Sequence, residues 1–239
     1  MLILGGTAEA NQLAERLAIE RPHWQPILSL AGRTRAPALP PNIAVRIGGF
    51  GGAHGLADYL QSEAIDVLID ATHPFAATIS GNAASACVTT GTRQLTLLRP
   101  PWRRQVGDDW VSVPSLQAAC DALPMGSRPF LALGRQHLAP FLARSDLGPL
   151  VRMIDPPATA LPVGMRLILA KPSVDWRDEA DLMRSHAVDC LVCRNAGGAA
   201  SYAKIEAARG LGLRVMMIER PPAVQAETFD SVERLLDAL

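Results

Sequence analysis

The first seventeen residues read Met1-Leu-Ile-Leu-Gly-Gly-Thr-Ala-Glu-Ala-Asn-Gln-Leu-Ala-Glu-Arg-Leu17. They predict a short buried strand, a glycine turn and an amphipathic helix, because apolar side chains recur at helical spacing after the turn. A strand, turn and helix in this order are typical of the start of a nucleotide-binding α/β domain. There the amides at the helix N-terminus contact a pyrophosphate.

The glycine turn matches the dinucleotide fingerprint G-x-G-x-x-G/A only in part. Gly5 and Ala10 match, Thr7 stands where the middle glycine belongs, and an extra glycine comes one position early. Its place after the first strand and before a helix favours a cofactor site over a plain turn in a parallel sheet. We therefore predict that the cofactor is bound here by Gly5, Gly6, Thr7, Ala8 and Glu9.

Strands and helices alternate along the rest of the chain, which predicts an α/β fold of parallel sheets wound by helical crossovers. The predicted strands are 2–4, 26–31, 43–47, 65–69, 94–98, 110–113, 130–133, 150–154, 166–170, 188–193 and 214–218, and the predicted helices are about 8–19, 53–62, 74–88, 115–123, 136–143, 175–186, 201–210 and 230–238. The polar, basic loop 100–109 divides the chain into residues 1–104, a dinucleotide-binding Rossmann-like domain, and residues 105–239, an α/β domain that completes a substrate cleft.

Two segments of the sequence show the same order of features, which we call the sequence echo, and this suggests two similar halves. The segment from Asp66 is followed by a helix, a strand and Arg99-Pro-Pro101, and the segment from Asp189 by a helix, a strand and Arg220-Pro-Pro222. The halves are either related to each other or two parallel-sheet units of a common style. We expect two Rossmann-like parallel-sheet halves that flank a cleft.

Composition excludes several classes of function. The formal net charge is zero, so no overall field attracts nucleic acid or an anionic membrane. No apolar run is long enough to span a bilayer and no signal peptide is visible, so we expect a cytoplasmic protein. The four cysteines are too scattered for a disulfide framework, and the pair Cys190 and Cys193 lacks partners for a metal site. We expect no metal.

The residues after the second predicted strand indicate which nicotinamide cofactor is bound. An NAD site usually has an acidic residue there for the ribose 2′-hydroxyl. This chain instead has Gly32 followed by Arg33, Thr34 and Arg35, which are donors suited to a phosphate. Unless these arginines are ordinary surface charges, the segment 32–35 favours NADPH.

Other polar residues also follow predicted strands, at the edge where an open parallel sheet binds ligands. Thr72 and His73 follow one strand, and His73 could orient the nicotinamide, bind a carboxylate or donate a proton; alternatively it only caps a helix. The remaining loops carry cationic, aromatic and amide side chains suited to a large anion, namely Arg99, Trp102, Arg135, Lys171, Arg194, Asn195 and Lys204. Each alone could be an ordinary surface residue.

These motifs together resemble the precorrin-6A reductase family of cobalamin biosynthesis. The resemblance runs in order over nearly the whole chain and is carried by Leu4-Gly-Gly-Thr-Ala-Glu9, Ser29-Leu-Ala-Gly-Arg-Thr34, Gly48-Gly-Phe-Gly-Gly52, Asp70-Ala-Thr-His-Pro-Phe-Ala76, Arg99-Pro-Pro-Trp102, and Asn195-Ala-Gly-Gly198 with Ala203-Lys204. One departure is Ala196, where the family is expected to have a serine, which puts a side-chain role at that position in doubt.

The resemblance implies hydride transfer from NADPH to a ring double bond of a tetrapyrrole, which gives precorrin-6B. It implies that His73 lies at the reaction site and that the cationic loops receive substrate carboxylates. The partners would be the tetrapyrrole and neighbouring pathway enzymes that pass it on. The alternatives are the cobalt-precorrin-6A reductase of the anaerobic branch, a non-catalytic NADPH sensor, and a methyltransferase, which the missing acidic residue disfavours.

Overall fold

The chain forms two compact units. The computed structural model describes residues 1–32, 39–41, 43–157 and 159–239. The first unit comprises Met1–Pro100 with Pro221–Leu239, and the second unit comprises Pro101–Arg220. The strands are β1 (Leu2–Leu4), β2 (Ile27–Leu30), β3 (Ala44–Ile47), β4 (Val67–Asp70), β5 (Arg93–Leu97), β6 (Asp109–Val113), β7 (Pro129–Ala132), β8 (Leu150–Met153), β9 (Arg166–Leu169), β10 (Cys190–Arg194), β11 (Arg214–Ile218) and β12 (Glu227–Phe229). The helices are α1 (Ala8–Glu20), α2 (Ala53–Ser62), α3 (Ala77–Thr90), α4 (Leu116–Asp121), α5 (Ala139–Leu142), α6 (Trp176–Ser185), α7 (Ala203–Gly210) and α8 (Val232–Asp237).

The first unit contains a six-stranded parallel sheet in the order β12-β5-β4-β1-β2-β3. Its central strands β1 and β4 are buried along their whole length, because helices cover both faces of the sheet. Ile3 and Ile69 pack with Leu13 of α1 on one face, while Leu2 and Leu68 pack in the cluster on the other. This packing fixes the carboxyl ends of β1 to β4 along one edge of the sheet.

The second unit repeats this topology. Its parallel sheet has the order β6-β11-β10-β7-β8-β9, so β7 takes the place of β1, and β10 and β11 take the places of β4 and β5. The two segments of the sequence echo therefore run through corresponding strands of two similar sheets. The prediction of an α/β fold with two Rossmann-like parallel sheets is confirmed.

The sixth strand of each sheet comes from an unexpected part of the chain. The strand after β5 is β6, which pairs in the second sheet, and the strand after β11 is β12, which pairs with β5 in the first sheet. The last helix, α8, buries Leu235 and Leu236 in the core cluster that contains α1.

The structure thus corrects the predicted division of the chain. Residues 221–239 belong to the first unit and not to a domain of residues 105–239, because their apolar side chains complete the first core. The first crossing between units lies at Pro100 and Pro101, a few residues before the predicted boundary at 104. None of the helices formed by the described residues is long and apolar enough to cross a membrane.

Candidate active site

A cavity of about 720 Å³ lies at the carboxyl edge of the first sheet. Its walls are the turns that follow β1, β2, β3 and β4, together with the first turn and a half of α3. Gly5, Gly6, Gly32, Thr72 and His73 of the predicted site line this cavity. It lies where open α/β sheets bind their ligands, and its size suits a small molecule or part of a cofactor.

Glycine is required at Gly5 and at Gly6 for two different structural reasons. A Cβ atom on Gly5 would lie 2.6 Å from Cδ1 of Leu28, so the turn packs directly against β2. Gly6 has φ +106°, a conformation that L residues rarely adopt, and the space next to its Cα is open. Gly5 is therefore required for packing, and Gly6 for the backbone path at the cavity wall.

The side chain of Thr7 forms hydrogen bonds within the protein. Its Oγ1 accepts a hydrogen bond from the Ala10 amide (3.1 Å), as an N-cap of α1, and donates to the Ala71 carbonyl (2.8 Å). The hydroxyl that replaces the middle glycine of the fingerprint thus ties the start of α1 to the end of β4. The predicted contact of Thr7 with a cofactor rests on its backbone, as does that of Ala8, the first residue of α1.

A buried carboxylate shapes the loop after β4. Oδ1 of Asp70 accepts hydrogen bonds from the amide (3.0 Å) and the hydroxyl (2.6 Å) of Thr72. The next residue, His73, accepts a hydrogen bond at Nδ1 from the Phe75 amide (3.2 Å). Since Nδ1 is an acceptor, a neutral His73 ring carries its proton on Nε2. Asp70 was not among the predicted site residues, although an Asp two residues before a Thr at a strand end is a known turn pattern.

Glu9 and Arg99, predicted for cofactor and substrate respectively, form an ion pair. Arg99 Nη1 lies 2.7 Å from Oε2 of Glu9, and both side chains are largely buried. They line a shallow recess beside Thr7 and Thr72. Glu9 therefore balances part of the Arg99 charge.

In the second unit, Trp102 and Asn195 form a reciprocal pair. The Trp102 amide donates to Oδ1 of Asn195 (2.8 Å), Nδ2 of Asn195 donates to the Trp102 carbonyl (3.1 Å), and the indole Nε1 donates to the Gly198 carbonyl (2.7 Å). These bonds use the polar groups of both predicted substrate residues to hold the loop 195–198. Trp102 is buried, so its role is to support the loop.

The predicted cations of the second unit lie in different environments. Arg135 and Lys171 are exposed at the carboxyl ends of β7 and β9, and Nη1 of Arg194 lies 3.0 Å from Nε2 of His137, which no sequence pattern singled out. Lys204 is buried: its Nζ donates to the Ser201 carbonyl and lies 4.7 Å from the centre of the Trp102 ring. Burial lowers the pKa of Lys204 to about 8. Lys204 is thus an interior residue, whereas the predicted role was to receive a substrate carboxylate.

The cysteines behave as apolar packing residues. All four are buried free thiols, and burial raises the pKa of Cys190 to about 12 and that of Cys193 to about 11. In residues 1–32, 39–41, 43–157 and 159–239, no group of three or more His, Cys, Asp or Glu side chains could hold a metal ion.

Comparison with known proteins gives the family. The model of the family described as precorrin-6x reductase CbiJ/CobK matches residues 1–239. This chain belongs to the precorrin-6x reductase family.

Relatives of known name support the assignment over nearly full length. The chain is 46% identical over 238 residues to the precorrin-6A reductase of Rhodobacter capsulatus (99% of this chain, 94% of the relative) and 47% identical over 234 residues to that of Rhodococcus erythropolis (97% and 94%). It is similar to the solved structure of CobK precorrin-6A reductase, with TM-score 0.92 and 44% identity, covering 100% of this chain and 94% of that one. The resemblance seen in the sequence is confirmed.

The predicted phosphate-binding residues of this family member follow the second strand. Arg33, Thr34 and Arg35 lie outside the described residues. They follow directly on Gly32, which lines the cavity with φ +70°. Their role in binding a phosphate remains a prediction.

Proposed function

We propose that this chain is an NADPH-dependent precorrin-6A reductase of cobalamin biosynthesis. The observation that carries the proposal is the near-full-length match, at 46–47% identity, to two proteins named precorrin-6A reductase. Neither name carries the cobalt prefix, which favours the metal-free substrate over cobalt-precorrin-6A. The product would be precorrin-6B, with one ring double bond reduced.

The cavity of the first unit is the proposed cofactor site. Gly5 and Gly6 let the backbone approach a pyrophosphate at the N-terminus of α1, and Gly32, which follows the end of β2, also lines the cavity. A reductase of this kind uses a nicotinamide cofactor. The choice of NADPH rests on Arg33, Thr34 and Arg35, whose donors suit the 2′-phosphate.

Bound NADPH would supply a hydride to one carbon of the reduced bond, and a proton would go to the other carbon. Asp70 and Thr72 fix the loop that presents His73 to the cavity. The Nε2–H of a neutral His73 ring can donate a hydrogen bond to a substrate carboxylate, whereas delivery of the proton would need the imidazolium form, which becomes the neutral ring when it gives the proton up. His73 is our candidate catalytic residue.

Substrate carboxylates would be bound by cations at strand ends. Arg135 and Lys171 are exposed and suited to this role, and Arg99 and Arg194 add positive charge at the ends of β5 and β10. Trp102, Asn195 and Lys204 would act indirectly, by holding the loop 195–198 and the start of α7 in shape.

The direct test mixes the purified protein with NADPH and precorrin-6A and follows the nicotinamide absorbance. We expect NADPH to be consumed in a one-to-one ratio with precorrin-6B formed. NADPH that binds but is not oxidised would instead support the non-catalytic sensor and sink the reductase proposal.

A binding experiment tests the choice of cofactor. Replacing Arg33 and Arg35 by Ala should weaken NADPH binding by about 1–3 kcal/mol for each lost charge-assisted contact and leave NADH binding nearly unchanged. Equal affinity of the unaltered protein for NADH and NADPH would show that this segment does not read the 2′-phosphate.

A further inference from the structure

A glycine-rich loop forms one whole wall of the cavity and has no part yet in the proposed function. The loop consists of Gly48-Gly-Phe-Gly-Gly52, between β3 and α2, and all five residues line the cavity. Gly48, Gly51 and Gly52 have φ values of +129°, +80° and +100°. A segment so rich in glycine has much conformational freedom to lose, so a contact from outside must order it.

That contact comes from Arg46, the third residue of β3. Its Nη1 donates to the Gly48 carbonyl (2.6 Å) and its Nη2 to the Gly49 carbonyl (2.7 Å). One guanidinium thus binds the first two carbonyls of the loop through two charge-assisted hydrogen bonds. The planar fork of arginine favours this arrangement, whereas the single ammonium of lysine does not.

Aromatic rings hold the guanidinium in place. Its central carbon lies 3.8 Å from the centre of the Phe50 ring and 5.2 Å from that of Tyr59, and the two rings meet edge to face at 5.3 Å. Phe50 belongs to the loop and Tyr59 to α2. Arg46 therefore joins the loop to both its own strand and the following helix.

The position of the loop indicates which part of the cofactor it faces. Nη1 of Arg46 lies 3.5 Å from Oγ of Ser29, and Ser29 lines the cavity near the end of β2. In dinucleotide-binding folds the end of the second strand lies beside the adenosine ribose. The glycine-rich loop is next to that position.

We propose that Arg46 is a positioning residue, which holds the Gly48–Gly52 loop in the shape that binds the adenosine half of the dinucleotide. The inference rests on the proposed use of NADPH. Arg46 donates its hydrogen bonds to other groups of the protein, so its effect on the cofactor is indirect.

The test compares Arg46→Met, Arg46→Lys and the control Arg93→Met. The control removes an arginine that pairs on the surface with Glu227, near the amino end of β5. Calorimetric titration measures binding of NADPH and of 2′,5′-ADP, which carries only the adenosine half. Hydrogen exchange of the 48–54 amides reports the order of the loop without any ligand.

We expect Arg46→Met to lower the affinity for NADPH and for 2′,5′-ADP by the same factor, about tenfold. Hydrogen exchange of the loop amides should become faster. Arg46→Lys should restore part of the affinity, and Arg93→Met should stay within about twofold of the unaltered protein. At saturating NADPH, kcat should change by less than about twofold, because the hydride-transfer end of the cofactor is not affected.

Two results would overturn the inference. One is that Arg46→Met binds 2′,5′-ADP with unchanged affinity. The other is that Arg46→Met loses affinity for NADPH by a larger factor than for 2′,5′-ADP. If Arg46→Met does not fold, the comparison of Arg46→Lys with the unaltered protein decides in the same way. An unaltered protein that binds 2′,5′-ADP but reduces no precorrin-6A would refute the proposed function alone, and one that binds neither ligand would refute both.

Discussion

At the scale of single residues, the important question is which polar groups are already used by the protein. Thr7, Trp102 and Asn195 were predicted from their positions to contact ligands, and the structure shows their side chains bound to backbone groups of the protein. Thr72 and His73 were predicted by the same reasoning, and both line the cavity. A sequence shows which strand end a polar residue follows, but the hydrogen bonds it makes depend on neighbours far away in the chain.

Lys204 gives a prediction about pH. Burial lowers its pKa from 10.5 to about 8, so below pH 8 the lysine is protonated in both the folded and the unfolded chain. Between pH 8 and 10.5 the unfolded chain holds a proton that the folded chain has released. The free energy of unfolding contributed by Lys204 therefore rises with pH over this window, by up to roughly 3 kcal/mol.

Chemical denaturation of the unaltered protein and Lys204→Met at several pH values measures this effect. The raised pKa values of Cys87 and Cys190 also change stability at high pH, but they are common to both proteins. Because Lys204 itself lowers the pKa of Cys193, both proteins carry Cys193→Ala in this comparison, so that the difference reports the lysine. A difference that stays constant from pH 8 to 10.5 would contradict a lowered pKa for Lys204.

At the scale of elements, the glycine in the first turn of α2 sets how closely the preceding loop approaches the helix. A Cβ atom on Gly55 would lie 1.9 Å from the Phe50 carbonyl oxygen, which is backbone and cannot turn aside. Gly81 in α3 has open space at the same atom. The two helices thus contain one glycine that is required by packing and one that is not.

Alanine at these two positions should have opposite effects. Gly55→Ala should destabilise the protein by about 1–3 kcal/mol through overpacking, and should also weaken NADPH binding because the loop must move. Gly81→Ala should stabilise it by roughly 0.5–1 kcal/mol, since alanine is the better helix former. Thermal unfolding with and without NADPH measures both. Similar effects of the two substitutions would show that the loop does not press on α2.

Most elements could be predicted from periodicity alone. The predicted strands 2–4 and 214–218 coincide with β1 and β11, and the predicted helix 53–62 coincides with α2, because each has a clear apolar pattern bounded by glycine or polar residues. β12 was missed, since Glu227-Thr-Phe229 is a short edge strand with a single apolar residue. Its pairing with β5 is a long-range contact that no local pattern encodes.

At the scale of the whole molecule, the exchange of edge strands decides which unit depends on which residues. Leu235 of α8 is fully buried beside Leu13 and Leu17 of α1, far away in sequence. In the second unit, Leu169 on the edge strand β9 is half exposed. Substitutions in the core positions of α8 should therefore destabilise the first unit, where the cofactor is proposed to bind.

Leu235→Ala should lower the stability of the first unit by about 2–5 kcal/mol, because a cavity opens in its core. The control Leu169→Ala should change stability by less than about 0.5 kcal/mol. Since NADPH stabilises the unit that binds it, the unfolding transition that NADPH raises is the one that Leu235→Ala should lower. The prediction fails if Leu235→Ala shifts only a transition that NADPH leaves unchanged.

The strand exchange also bears on the order in which the chain can fold as it is synthesised. All strands of the second sheet lie within Pro101–Arg220, so that sheet can close as soon as β11 has left the ribosome. The first sheet waits for β12, and its Leu95–Glu227 pairing closes a loop of more than one hundred residues. We therefore expect the first unit to be the last to mature, with the open edge of β5 exposed to the cell's chaperones until β12 has been synthesised.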